Sequence, residues 1–248
     1  MKSIQLNALI TVGLVLTISA CQSAQQPSQQ QAQASGAAPS AQAPSNQSSG
    51  ALCDNPYIPV VESATWTSNV SFGQLSTAQE DTITDVGTDA FLVETKAAGT
   101  SVVVTWTCTA DGVLWLQTDG GMFSAVSQDA TWSTNSFSGV TIPKEIQPGD
   151  TWSSSQEMTA SDANGNSQTF TINANYQAVG IESVSVPAGT FDAMRIDFVM
   201  TFTGADAESS FEFSDWFVEN VGLVKSAAQQ ITGGSLSFSQ ELASYSIP

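Results

Sequence analysis

The chain predicts an all-β domain, antiparallel and curved strongly enough to make an open barrel or a sandwich-like sheet, and three observations carry this. Short runs rich in Val, Ile, Thr, Phe and Trp recur from Thr65 to Tyr245, with Gly, Asn, Asp or Pro between them. No stretch after Cys53 has the three-to-four-residue apolar spacing of a helix. Compact turn signals, Asn164-Gly165 and Val186-Pro-Ala-Gly189, stand between pairs of such runs.

In chain order the runs predict strands at Thr65 to Phe72, Asp81 to Val86, Ala90 to Thr95, Ser101 to Thr109, Val113 to Thr118 and Met122 to Val126. A looser segment follows from Thr131 to Ser155, interrupted by Ile142-Pro143 and Pro148-Gly-Asp150. Strands resume at Trp152 to Ala160, Ser167 to Val179, Ile181 to Val186, Thr190 to Thr203, Ser209 to Val218, Gly222 to Gln229 and Ser235 to Tyr245. The Asp162-Ala-Asn-Gly-Asn166 segment reads as a type I′ hairpin, with Asn164 and Gly165 taking positive φ. A calcium loop is the competing reading, because Asp162, Asn164 and Asn166 alternate as oxygen ligands would, but the downstream bidentate Glu is missing. In Val186-Pro-Ala-Gly189, Pro187 presets φ and Gly189 is expected to supply the positive φ of a type II turn.

Two halves of the chain echo each other. Trp106 precedes Gly112-Val-Leu114 by six residues and Trp216 precedes Gly222-Leu-Val224 by six, while Trp66-Thr-Ser and Trp152-Ser-Ser stand where the two halves would open. A repeated pair of sheet halves is one expectation and chance the other.

Ahead of the domain the chemistry differs. Lys2, the apolar stretch Ala8 to Ile18 and the sequence Ile18-Ser-Ala-Cys21 form a bacterial lipoprotein signal, in which Cys21 is acylated and becomes the mature N-terminus. Residues 1–20 are thus expected to be removed. Residues 21–52 form a Gln/Ser/Ala/Pro-rich tether that cannot bury enough apolar surface to order itself. As a flexible coil it would reach roughly 30 Å from the lipid. Residues 53–248 then form one all-β domain, and the expected address is extracytoplasmic, lipid-anchored to a bacterial membrane. In that oxidising setting Cys53 and Cys108, the two cysteines left once Cys21 carries lipid, are expected to form a disulfide.

The formal charge is −18, and loss of Lys2 leaves four basic against 23 acidic residues. Such a field repels nucleic acid, so no nucleic-acid partner is expected. With no histidine in the chain, Ser-His-Asp and Cys-His catalysis and the common zinc sites are excluded. Glu212, Asp215 and Glu219 cluster near Trp216 and would suit carboxylate chemistry, but they read as the solvated face of a strand. The six tryptophans, dispersed along the chain, read as packed side chains rather than as a ligand platform.

Val186-Pro-Ala-Gly-Thr-Phe191, followed by Trp216-Phe217 and Val221-Gly-Leu-Val-Lys225 and preceded by Pro148-Gly-Asp-Thr-Trp152, resembles a family of exported bacterial β-domains of unknown function. The resemblance is clear over the C-terminal half. It implies an extended antiparallel β-structure, similar in outline to periplasmic lipoprotein carriers that cup an acyl chain, and it brings no catalytic residues with it. The expectation is a non-catalytic, membrane-anchored domain that binds a partner protein or ligand, without cofactor or metal. A carrier or sensor of hydrophobic molecules is the alternative, and a carboxylate-dependent enzyme acting on glycans is a weaker third. The sequence names neither the ligand-binding residues nor an oligomeric state.

Overall fold

The computed structural model describes residues 52–116, 131–162, 164–204 and 208–248. The chain divides between Pro44 and Ser45, and every described residue belongs to the second unit. The expected signal peptide, Cys21, the expected tether up to residue 51 and the strand expected at Met122 to Val126 lie outside the described residues.

Thirteen strands are present among the described residues: β1 (Thr65–Phe72), β2 (Leu75–Val86), β3 (Ala90–Ala97), β4 (Thr100–Cys108), β5 (Gly112–Leu116), β6 (Thr131–Gly139), β7 (Ile142–Pro143), β8 (Thr151–Ser161), β9 (Ser167–Val186), β10 (Gly189–Thr203), β11 (Glu208–Val218), β12 (Gly222–Thr232) and β13 (Ser237–Ser246). They form one antiparallel sheet in the order β6-β8-β9-β10-β11-β12-β13-β1-β2-β3-β4-β5-β7. Two meanders, β1 to β5 and β8 to β13, are thus joined where the last strand pairs with the first, from Thr65 opposite Ser246 to Phe72 opposite Phe238.

The sheet curls strongly but does not close, and bulges in β9, β12 and β13, at Val179, Val224, Ile231 and Ala243, are part of the cause. Side chains bridge the seam between β5 and β8. Gln156 Nε2 donates to the Trp115 carbonyl at 2.6 Å and Trp152 Nε1 to the Thr141 carbonyl at 3.1 Å, while the Trp115 N–H donates to Thr141 Oγ1 at 3.1 Å. The expected strands 167–179 and 181–186 are a single strand, because β9 bulges at Val179, opposite Arg195 and Ile196, and the neighbouring Gly180, at φ +150°, carries the chain through the bend. The looser segment resolves into β6, β7 and the start of β8. The Ser- and Asn-rich β6 has little apolar content to announce it, and is held by backbone pairing along β8.

Alternation assigns one face of each strand to the interior. The main core draws Ile83 and Phe91 from the first meander and Tyr176, Met194, Ile196 and Phe217 from the second. Between them packs the strandless segment from Cys53 to Ala64, which contributes Cys53, Tyr57, Val60 and Ala64. Asn55 holds this plug, donating from Nδ2 to the carbonyls of Ile142 at 3.2 Å and Pro143 at 3.0 Å. A disulfide joins Cys53 to Cys108 at the end of β4, with the Cα atoms 5.0 Å apart.

Two turns differ from expectation. Ala188, at the third position of the β9–β10 turn, is not in the positive-φ region, whereas Gly189 is, at +144°. Gly at the fourth position after Pro at the second is the type I pattern, not type II. In the loop 162–166, Gly165 alone of the expected pair has positive φ, at +81°, and Asn164 does not. The loop is therefore not type I′, which needs positive φ at both residues, and the Gly165 N–H closes it by donating to the Asp162 carbonyl at 3.0 Å. Asp162 holds it, accepting from the N–H groups of Asn164 and Asn166 and from the Asn166 amide at 2.8 to 2.9 Å. Those donors occupy the carboxylate and pull its pKa down, leaving little of it for a cation.

Candidate functional site

Across β8 to β11 the pairing register sets residues from four strands side by side. Thr151, Gln177, Asp197 and Ser214 form one outward row, and Ser153, Asn175, Val199 and Glu212 form the next. An open groove of about 670 Å³ lies here, lined by seven of these eight residues together with Trp152, Tyr176 and Phe198. By strand alternation those three rings turn to the opposite, inner side.

The inner rings form a continuous cross-strand row. Trp152 stacks on Tyr176 at 5.2 Å between centroids, Tyr176 meets Phe198 at 4.9 Å, and Phe198 stacks on Phe213 at 4.6 Å. Each such pair contributes about 0.5–1.5 kcal/mol beyond its area burial, so the groove has a rigid backing. The Tyr176 hydroxyl, paired with Ser154 Oγ at 3.1 Å, has its pKa pushed up to about 12 by burial and remains protonated.

Polar groups in the groove fall into two kinds. The Asp197 carboxylate is fully engaged, by the Arg195 guanidinium at 2.8 and 2.9 Å and by the Ser214 hydroxyl at 2.7 Å. Thr151, Ser153, Asn175, Gln177 and Glu212 have no side-chain partner among the described residues. One row further along the same face the hydroxyls do pair, Thr201 with Ser210 at 3.0 Å.

Beside the groove lies an outward lattice around Trp216. Arg195 and Lys225 each sit 5.6 Å from the indole centroid, and Trp216 Nε1 donates to Glu182 at 3.1 Å. Trp216 also packs against a small second cluster with Val184, Ala188 and Phe191 of the β9–β10 hairpin, whose Ala188 N–H donates to the Leu242 carbonyl. Behind this lattice, on the inner face, is Asp215. Its Oδ1 is buried with no hydrogen-bond partner, and burial raises the carboxyl pKa to about 7 against the pull of the Ser226 hydroxyl, with the Asp197 charge adding to the rise.

This corrects the reading of the acidic cluster. Glu212 and Glu219 are exposed, but Asp215 points inward between Ile196 and Ser226. The spacing carried the signal: residues three apart on a strand face opposite sides, so Glu212 and Asp215 could not share a solvated face. The six tryptophans are all at least partly buried, Trp132 most of them. The groove residues were not singled out by sequence, since Ser, Thr, Asn and Gln on strands read as ordinary outward positions. No group of three or more acidic or sulphur ligands is brought together among the described residues.

Fold and site together define a strongly curled antiparallel sheet domain with a polar groove on its outer face. The chain belongs to the DUF3108-like family, whose profile matches residues 95–240 and so contains every segment that carried the resemblance. Among solved structures it is similar to a Bacteroides fragilis protein described as exported and of YmcC-like fold, at 15% identity and a TM-score of 0.54, covering 78% of this chain and 100% of that one. It is equally similar to a protein described as a lipoprotein from Parabacteroides distasonis, at 15% identity and a TM-score of 0.53, over 78% of this chain and 99% of that one. At these identities the likeness concerns the fold. No curated protein matches the chain.

Proposed function

We propose that the protein is an extracytoplasmic lipoprotein, anchored through Cys21, whose β-domain binds a ligand or partner in the groove of β8 to β11 and carries out no catalysis. The observation that carries the binding part is the set of five outward polar side chains, unpaired among the described residues, around a hollow of about 670 Å³. The lipobox Ile18-Ser-Ala-Cys21 supports the anchor, as do the descriptions of the two structural neighbours as exported and as a lipoprotein.

A carrier of acyl chains is the less favoured reading. The space such a chain would take on the inner side is occupied by the plug residues Tyr57 and Val60 and by rings from both meanders. The proposal is tested in cells fed an alkyne-bearing palmitate. Wild-type protein takes up the label and sediments with membranes, and Cys21→Ser does neither. A photo-cross-linker at Val199, whose side chain is 37% exposed in the groove, forms an adduct in the intact envelope that one at Val103, on β4 and 46% exposed, does not. Membrane sedimentation of Cys21→Ser refutes the anchor, and equal adducts at both positions refute the groove.

A further inference from the structure

The chemistry of the groove narrows its occupant, and the inference rests on the groove being the binding face. Three of the four strands beneath it are paired on both edges, and β8 pairs with β9 throughout the groove and with β6 from Ser154 onward, which leaves only Thr151 to Ser153 without a strand on that side. The backbone therefore offers an added peptide strand no more than three residues of one edge, too few to hold it, and recognition must come from side chains. Those side chains are two hydroxyls, two amides and two carboxylates, with Val199 as the apolar member of the two rows. An acyl chain would find little to contact. An anionic ligand would meet Asp197 and Glu212 in a chain with 23 acidic residues, while Arg195, the nearby cation, is bound to Asp197 and Glu182.

Asn175 and Gln177 each present both donors and an acceptor, Thr151 and Ser153 each present both from one oxygen, and Glu212 accepts. Such a mixture matches a ligand whose hydroxyls both donate and accept. Three inter-strand gaps of about 4.8 Å span about 14 Å, room for a short run of pyranose rings laid across the strands. The engaged Asp197 carboxylate is held in place at one side of this run, and the stacked inner rings keep the four strands from shifting. We infer that the groove of β8 to β11 is a binding site for an uncharged oligosaccharide, with Asn175 and Gln177 as its principal hydrogen-bonding residues.

The experiment is calorimetric titration of the full-length protein, in a detergent without a sugar headgroup, with three neutral hexasaccharides: cellohexaose, maltohexaose and the hexamer of N-acetylglucosamine. At least one binds with Kd below about 1 mM, and raising salt from about 50 to 500 mM leaves Kd unchanged within about twofold, as an uncharged ligand requires. Asn175→Ala and Gln177→Ala each weaken binding about tenfold, while the melting temperature of these exposed positions stays within about 2 °C of wild type. Asn135→Ala, at an outward amide on β6 away from the groove, binds as wild type does. The inference is overturned if none of the three hexasaccharides binds, or if the Asn175 and Gln177 variants bind as tightly as Asn135→Ala. A flat titration alongside a Val199-specific adduct removes the saccharide and keeps the groove, whereas equal adducts at Val199 and Val103 remove both.

Discussion

Replacing Asp215 by Asn should stabilise the protein, and by an amount that grows with pH. The carboxyl faces inward with an orphaned Oδ1, and its pKa stands at about 7 against an ordinary value of 3.8. A carboxyl whose folded pKa is raised binds its proton more tightly in the folded state. Its stabilising contribution is therefore fully present below pH 3.8 and is lost as pH rises to about 7, beyond which the folded state carries a buried anion. At 1.36 kcal/mol for each tenfold change in proton affinity, the rise from 3.8 to about 7 amounts to about 4 kcal/mol. The residue as a whole is only partly buried, so water reaches part of the side chain and about 2–4 kcal/mol is the working range. For a domain of this size that is roughly 5–15 °C in melting temperature. Asn keeps the shape and cannot ionise, so calorimetric melts of wild type and Asp215→Asn should lie close together near pH 4 and diverge up to about pH 8, with the variant higher. Repulsion among the other carboxylates lowers both proteins alike, so it cancels in the difference. A gap that is the same at both pH values, or one that narrows as pH rises, refutes the reasoning.

Three further outcomes are expected. Trp66 Nε1 donates to the Val221 carbonyl at 2.6 Å, and Trp66→Phe should lower the unfolding free energy by about 1–3 kcal/mol by leaving that carbonyl without its partner; an unshifted urea midpoint would count against this. Gly139 and Gly189 both have positive φ, at +74° and +144°, but a Cβ at Gly139 would run into the Ser153 carbonyl whereas one at Gly189 would rest 3.7 Å from the Phe191 ring. Gly189→Ala should thus cost about 1–2 kcal/mol of backbone strain alone and Gly139→Ala visibly more, and melts in the reverse order would refute the assignment. Cys53 and Cys108 are separated by 55 residues, so the double Ser variant should lose roughly 4 kcal/mol in denaturant unfolding, and a wild-type midpoint would deny the bridge its role.

Most strands were legible because their content is local: β1 is set by Thr65-Trp-Thr-Ser-Asn-Val-Ser-Phe72, and no tertiary information is needed to place it. β6 was not legible, since Thr131-Trp-Ser-Thr-Asn-Ser-Phe-Ser-Gly139 becomes a strand through its pairing with β8. The curl was legible only as a class. Its bends sit at bulges such as that at Val179 in β9, which register decides and composition does not. The site was hidden for the same reason. Ser153 and Asn175 are 22 residues apart, and only the β8–β9 register makes them neighbours. Asp215 was within reach, because its odd spacing from Glu212 already placed the two on opposite faces.

The echo between the two halves also separates backbone from side chain. β1 to β5 correspond in order to β8 to β12, Trp106 pairs with Trp115 as Trp216 pairs with Lys225, and Gly112 and Gly222 both open their strands at positive φ. Yet Trp106 faces inward, stacked between Phe91 at 5.8 Å and Trp115 at 6.3 Å, while Trp216 faces outward between two cations. What the halves share is strand order and a glycine turn, together with one inward cross-strand row of aromatic rings each: Phe91, Trp106 and Trp115 in the first, Trp152, Tyr176, Phe198 and Phe213 in the second. These rows stiffen the curl from inside and place no demand on the outer face. In the second half the outer face is therefore free to carry the Trp216 lattice and, beside it, a groove whose polar side chains are unpaired among the described residues.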